Sequence, residues 1–450
     1  MSIWVVAGEV SFIVLILLFL LFSIYSLLEK EKRAFWRSLF LFLSIAAMNI
    51  FFLFISIPLK NCLFGTVFVL SVVILLILIC SPSPKQAMKF IGKPRKIDER
   101  DVIFARFDYK EGTRIFREYY ERRPEYKKID DDIRKIPDIL SAPHMKKNPL
   151  HYSLADAEFN FLENQLTKVG GKINPEKVEL SPSENSRMIK NIIKYLGSEL
   201  CGICALKQEY IYSYVGRGPE PYSKKIEVNH KYAIVFAIEM DFEMVAMAPK
   251  APVIVETGKK YVEAAKISII AADFIRHLGY SARAHIAGSN YQAILPPLGW
   301  KAGLGELGRM SILITRKFGP RARLGLITTD LPLTLDKPVK LGIQDFCQKC
   351  QKCARNCPAQ AIPYGEKVEE NGVFKWVLNR EECYRFWRKA GTDCAVCIFV
   401  CPYSKPDNLF HNFIRKITSK SSFAQSLSVW GDDFFYGRIP IRHKKSPLDI

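Results

Sequence analysis

The chain has 450 residues, 49% of them hydrophobic and 24% charged, with a formal net charge of +20 at pH 7. That length holds an anchor and two or three modest domains with a real core, and so high an apolar share beside an ordinary charged share points to lipid-facing sequence joined to a water-facing body. Basic residues are spread along the chain rather than gathered in one stripe, which argues against nucleic acid as a partner. The clusters at Arg114–Arg123 and Arg442–Lys445 read as solvated faces or as surfaces for an acidic electron donor.

Three apolar stretches open the chain, Ile3–Leu28, Trp36–Leu59 and Cys62–Cys80, each near the roughly 20 residues that cross a bilayer core. A cleaved secretory signal would show one short apolar region, and buried soluble helices would keep polar faces. No twin-arginine export signal precedes the first stretch. Lys30, Lys32, Arg33 and Arg37 flank the junction of the first two, only Lys60 lies between the second and third, and Lys85, Lys89, Lys93, Arg95 and Lys96 follow the third. The positive-inside rule then predicts a multi-pass protein of the cytoplasmic membrane, with the lipid bilayer as a partner, the N-terminus outside and everything after Cys80 facing the cytoplasm.

Residues 1–82 are therefore expected to form a three-helix anchor. Residues 83–150, rich in Pro, Lys, Arg and Asp, read as a linker and peripheral wrapping. In 151–335 periodic patterns return: helical spacing over Ser183–Leu196 and over Tyr261–Leu278, the latter after Thr257 as a cap, and buried strands at Tyr232–Glu239 and Arg323–Thr329. Helices and strands alternate without a strict βαβ rhythm, which predicts an α+β core. Residues 336–410 are expected to be ferredoxin-like, and 411–450 to pack on the core.

Eight of the twelve cysteines lie between Cys347 and Cys401; Cys62 and Cys80 are in apolar stretches, and Cys201 and Cys204 form a CxxC pair in an apolar segment that reads as buried structural thiols. Such crowding argues for metal ligation rather than disulfides. The run Cys347-x2-Cys350-x2-Cys353-x3-Cys357-Pro358 has the spacing of a bacterial ferredoxin, in which three thiolates hold one cube and the fourth crosses to the other. Cys383 and then Cys394-x2-Cys397-x3-Cys401-Pro402 form a second set. By that logic Cys347, Cys350, Cys353 and Cys401 hold one [4Fe–4S] cluster, and Cys383, Cys394, Cys397 and Cys357 the other. Structural zinc is the alternative for any CxxC pair, but two complete four-thiolate sets each closing in Cys-Pro argue against it. Gly303, Gly305 and Gly308 match GxGxxG, yet Pro296, Pro297 and Gly299 precede them where a dinucleotide site needs a strand. These glycines are expected either to admit a different cofactor or to form a tight loop.

The stretches Tyr261–Tyr280 (YVEAAKISIIAADFIRHLGY) and Ala302–Leu333 (AGLGELGRMSILITRKFGPRARLGLITTDLPL), the cysteine region with CYRFW and GTDCAVCIFVCPYSKP, and DDFFYGR at Asp432–Arg438 resemble catalytic subunits of corrinoid-dependent reductive dehalogenases. The resemblance runs over about Ile189–Arg438. It implies a nitroreductase-like corrinoid-binding core with a ferredoxin-like insert, a cobalamin-type corrinoid bound base-off and without covalent attachment, an organohalide substrate, and quinol or reduced ferredoxin or flavodoxin as electron donor. It also implies Tyr261 as proton donor, Arg323 as its cationic partner and Asn290 nearby. The chemistry is reasonable by itself: a developing carbanion needs a proton, and a phenol supplies it best beside a cation that favours its charged form. The alternatives are an epoxyqueuosine reductase-like tRNA-modifying enzyme, against which the apolar stretches and Tyr261 argue, and a membrane ferredoxin-type electron carrier, which leaves the core without a task.

Overall fold

The computed structural model describes residues 3–84, 89–288, 291–443 and 445–448. The chain divides into two compact units. One comprises residues 1–86, 341–350 and 405–441; the other comprises 87–340, 351–404 and 442–450.

The first unit opens with α1 (Ile3–Leu28), α2 (Lys32–Leu53) and α3 (Ile57–Cys80), all three long and apolar enough to cross a membrane. The turn between α2 and α3 falls several residues before the expected position. Pro58 sits comfortably only in a first helical turn, so the chain breaks at 54–56, inside an apolar run where hydropathy carries no mark of a turn. Phe12 of α1 meets Phe52 of α2 and Phe64 of α3 edge-on, with ring centres 5.5 and 5.6 Å apart. A side chain at Gly8 would collide with Phe64, so glycine there lets α1 and α3 approach. Contacts between the early residues of α1 and of α3 make these two parallel, with α2 antiparallel. The ends near Leu28, Lys32 and Cys80 therefore share one side.

The second unit is built on an antiparallel sheet of four strands, β1 (Leu200–Ala205), β2 (Tyr232–Glu239), β3 (Ala282–His285) and β4 (Ala322–Thr329), in the order β1-β2-β4-β3. β2 is covered on both faces, which is why it reads as a continuous apolar run. Ile234, Phe236 and Ile238 pack with Ala264, Ala265, Ala271 and Ile275, while Ala233, Val235 and Ala237 point the other way toward Leu298, Ala302 and Leu313. The first partners belong to a helix that starts at Pro252, nine residues before the expected start; Thr257 is an interior helical residue, 3% exposed, and not a cap. Pro252 in the first turn and the buried run Val253–Val255 explain the earlier start.

Helix α4 (Pro149–Glu163) packs along this helix, here α6 (Pro252–His277), and α5 (Pro182–Tyr195) opens with a capping box between Ser181 and Glu184. Residues 83–150 are more than wrapping. They hold helices at Ile103–Asp108, Arg114–Arg122, Pro124–Arg134 and Ala142–Lys147, and Arg106 is buried in an ion pair with Asp130 and a second, at 2.8 Å, with Glu381. The polar composition that suggested a linker is satisfied internally by paired charges.

The end of the chain also departs from expectation. Helices α7 (Leu409–Thr418) and α8 (Ser422–Phe435) belong to the unit of α1–α3, and Phe22 stacks on Phe410 at 4.7 Å. Only the last residues join the sheet-bearing unit, through His443 N–H to the Ala246 carbonyl (3.1 Å) and a contact of His151 with the Ser446 hydroxyl (3.3 Å). The aromatic spacing of 409–435 fits an apolar neighbour equally well in either unit, so sequence pattern did not choose between them.

Candidate functional site

Tyr261 lies mid-way along α6, half-buried, with Phe159 of α4 edge-on at 6.5 Å. Arg323, second residue of β4, places its guanidinium carbon 5.1 Å from the centre of the Tyr261 ring. The same guanidinium donates to the Thr257 hydroxyl at 2.6 Å and forms an ion pair with Asp393; the Thr257 hydroxyl in turn donates to Asp393 at 2.7 Å. Thr257 and Tyr261 are four residues apart on α6 and so share a face. Burial acts to lower the Arg323 pKa, but Tyr261 and Asp393 outweigh it and hold the group above its ordinary value, fully charged. Its Nε–H is buried and has no hydrogen-bond partner among the described residues.

Tyr212, Tyr291, Arg323 and Cys397 are each half-buried. Burial, with Tyr261 adding and Arg323 opposing, pushes the Tyr291 phenol far above its usual range, and burial raises Tyr212 to about 12. Tyr291 reaches the Leu324 carbonyl at 3.3 Å, on the stretch of β4 beyond the end of its pairing with β3. Asn290 lies outside the described residues. Gly303 turns the chain at φ +79° after the helix Leu295–Lys301, where a Cβ would meet the Lys337 carbonyl. A Cβ on Gly305 would strike the Ile314 backbone inside a two-stranded ribbon, and Gly308 closes that ribbon's turn with Ile312. At Gly303 and Gly305 the chain's own backbone lies where a side chain would begin. Cys201 and Cys204 lie on β1, and burial pushes both thiols up to about 12, away from reactive thiolate.

Of the two four-thiolate sets, Cys357, Cys383, Cys394 and Cys397 all belong to the second unit and lie close enough to feel one another's charge. Cys383 is carried by the helix Arg380–Ala390, capped by Asn379 at its start and by Gly391 in the left-handed region at its end. Cys394 and Ala395 take φ of +63° and +54°, a tight turn just before the short helix that carries Cys397. Burial pushes the thiols of Cys383 and Cys394 to about 12; thiolates are favoured at such a place when a cationic metal group compensates them. Among the described residues no three His, Cys, Asp or Glu side chains converge as around a single ion. The other set divides between the units, Cys347 and Cys350 in the first and Cys353 and Cys401 in the second, and rests on the ferredoxin spacing.

Sequence reasoning missed Asp393 and Thr257. Asp393 had a visible signal, its place directly before Cys394, but its partner comes from a strand 70 residues away.

Residues 346–405 match the 4Fe-4S dicluster domain family. Tetrachloroethene reductive dehalogenase of Dehalobacter restrictus (strain DSM 9455 / PER-K23) is 33% identical over 302 residues, covering 57% of this chain and 54% of that protein. Catabolic reductive dehalogenase NpRdhA, solved in complex with 3-bromo-4-hydroxybenzoic acid, is 25% identical with a TM-score of 0.65, covering 80% of this chain and 49% of its own. A reductive dehalogenase structure described in terms of B12-dependent dehalogenation gives 25% identity and a TM-score of 0.65 over 79% of this chain and 49% of that one. The chain thus spans about half the length of the relatives it matches. The mixed helix and strand fold expected from the motifs is the fold of these reductive dehalogenase structures, here in a chain that also carries three long apolar helices.

Proposed function

We propose that the chain is a membrane-bound reductive dehalogenase that replaces the halogen of an organohalide by hydrogen, with two electrons and one proton consumed per halide released. The observation that carries this reading is the linkage of Arg323 to both Tyr261 and Asp393, the residue directly before Cys394. One guanidinium joins a phenol suited to proton donation to the loop of a thiolate set suited to electron delivery. The likeness to reductive dehalogenases and the dicluster match support the same conclusion.

In this reading Tyr261 gives its hydroxyl proton to the carbon that loses halide, and Arg323 stabilises the negative charge that develops on the Tyr261 oxygen. Asp393 and Thr257 hold the guanidinium so that it faces the phenol. Cys347, Cys350, Cys353 and Cys401 hold one [4Fe–4S] cluster, and Cys357, Cys383, Cys394 and Cys397 the other. Arg323, whose buried Nε–H has no partner among the described residues, would supply a polar contact to a cobalamin-type corrinoid bound beside Tyr261. When bound, these groups supply single-electron transfer and the low-valent metal that breaks carbon–halogen bonds. Asn290 is a further candidate for the substrate side. The three apolar helices span the cytoplasmic membrane with the later chain on the cytoplasmic side, where the clusters are kept from oxidation and reduced by quinol or by a reduced ferredoxin or flavodoxin.

Anaerobically purified protein is expected to carry about eight irons together with corrinoid cobalt, and to release halide from organohalides with reduced viologen as donor. Iron without cobalt and without halide release would instead mark an electron carrier and overturn the proposal.

A further inference from the structure

We infer that helix α8 (Ser422–Phe435) lies in the plane of the membrane, with its outer face sunk into the lipid headgroup region beside the ends of α2 and α3. The inference rests on the reading of α1–α3 as membrane spans. Helix α8 is tied at both ends to points at the edge of those spans. At its start the Phe423 N–H donates to the Ser81 hydroxyl (2.9 Å) and the Ser422 N–H to the Pro82 carbonyl (3.0 Å), immediately past the end of α3. At its finish Arg33, in the first turn of α2, donates to the carbonyls of Tyr436 (3.2 Å) and Ile439 (3.4 Å), and Arg37 donates to the Phe434 carbonyl. These attachment points share one side of the three-helix bundle. Fourteen residues make a rod of about 21 Å, and a rod held at both ends to one side of a bundle runs across the bundle axis.

Its two faces differ. Inward, Ala424 and Gln425 are buried, the Gln425 amide donates to the Gly342 and Thr418 carbonyls, and Phe435 packs edge-on against Phe22 at 4.7 Å. Outward, Phe423, Leu427, Trp430 and Phe434 recur at four, three and four residues, one stripe on the helix surface. They are 36%, 45%, 63% and 36% exposed. Trp430 and Phe434 stack at 5.4 Å, with the Arg37 guanidinium over Phe434 at 5.1 Å. The neighbouring helix α7 adds exposed Leu409 and Phe413, with exposed Lys416 near its end and exposed Lys420 just past it. Exposed aromatic stripes with flanking cations, level with the ends of apolar helices, have the composition of an interfacial segment facing anionic lipid. A water-facing helix rarely leaves four large apolar groups in a row.

The test uses the full-length protein in nanodiscs of phosphatidylcholine and phosphatidylglycerol whose chains are brominated near the carbonyl end. Comparing the protein with Trp430→Phe isolates the emission of Trp430, and Trp36→Phe does the same for Trp36, which is exposed on α2. Trp430 is expected to lose emission to the brominated chains, more than to chains brominated near the methyl end. If Trp36 is quenched by lipid while Trp430 responds only to aqueous acrylamide, the spans stand and the in-plane helix is wrong. If Trp430 is shielded from both quenchers, protein covers the face and the inference falls. If neither tryptophan meets lipid, the spanning reading itself fails, and the inference with it.

Discussion

Replacing Arg323 by Gln removes the cation facing Tyr261 while keeping a planar, hydrogen-bonding side chain. With the guanidinium carbon 5.1 Å from the ring centre, a full charge on the phenol would interact by about 3 kcal/mol at an effective dielectric of about 20. A transition state that has developed half of that charge gains about 1.5 kcal/mol, so the expected loss in the rate of halide release lies between about 10-fold and 200-fold. The substitution has a second effect, since Asp393 would keep a buried carboxylate without its cation, at a cost of about 3–5 kcal/mol in stability. The double variant Arg323→Gln/Asp393→Asn removes both charges and serves as the control. The assay is single-turnover halide release by anaerobic, viologen-reduced protein, normalised to measured iron and cobalt. If both variants keep full cofactor content and the rate of the unaltered protein, Arg323 does not stabilise charge on Tyr261 and the proposed role is wrong. If iron and cobalt are lost in both, the residue acts in assembly.

Tyr261→Phe preserves ring packing against Phe159 and removes only the hydroxyl; halide release should fall by about 10²- to 10⁴-fold with iron and cobalt retained, and normal turnover would place the proton donor elsewhere. Asp393→Asn alone keeps a hydrogen-bond acceptor but loosens the guanidinium, so a smaller fall in rate than for Arg323→Gln is expected, with an altered pH profile and an unchanged iron content. Cys397→Ser should lose about half of the iron, the share of one cube, measured by metal analysis and by the remaining cluster signal. Burial, reinforced by Glu256, raises the Glu158 carboxyl from 4.5 to about 7. Between those values the unfolded chain has released the proton that the folded chain still holds, so stability falls as pH rises from 4.5 through 7 and stays low above. Glu158→Gln should therefore raise the thermal midpoint at pH 8 but not at pH 4.5, by an amount equivalent to about 1–3 kcal/mol after allowing for partial exposure.

The iron–sulfur region was legible because its chemistry is local: Cys347 to Cys357 and Cys394 to Cys401 are spaced by the size of a cube, and spacing along the chain survives without a structure. The apolar helices and strand β2 were legible for a similar reason, since continuous burial leaves continuous apolar sequence. Strand Tyr232–Glu239 and helix α1 have the bounds that the residue pattern predicts. Where burial alternates with polar pairing, reading failed, as in 83–150, whose buried Arg106 and Asp130 look in sequence like solvated charge.

Tertiary structure alone decided three things. It brought Arg323 and Asp393 together from a strand and a cysteine loop, a pairing that no periodicity encodes because the two partners lie on separate elements. It made Thr257 a hydroxyl link between them instead of a helix cap, once Pro252 moved the start of α6 back by two turns or more. It sent Leu409–Thr418 and Ser422–Phe435 to the apolar helices, because an amphipathic stripe states that a helix needs an apolar neighbour but not which one. Residue spacing records which groups a chain can present, while the long-range contacts of the folded chain select which of them meet.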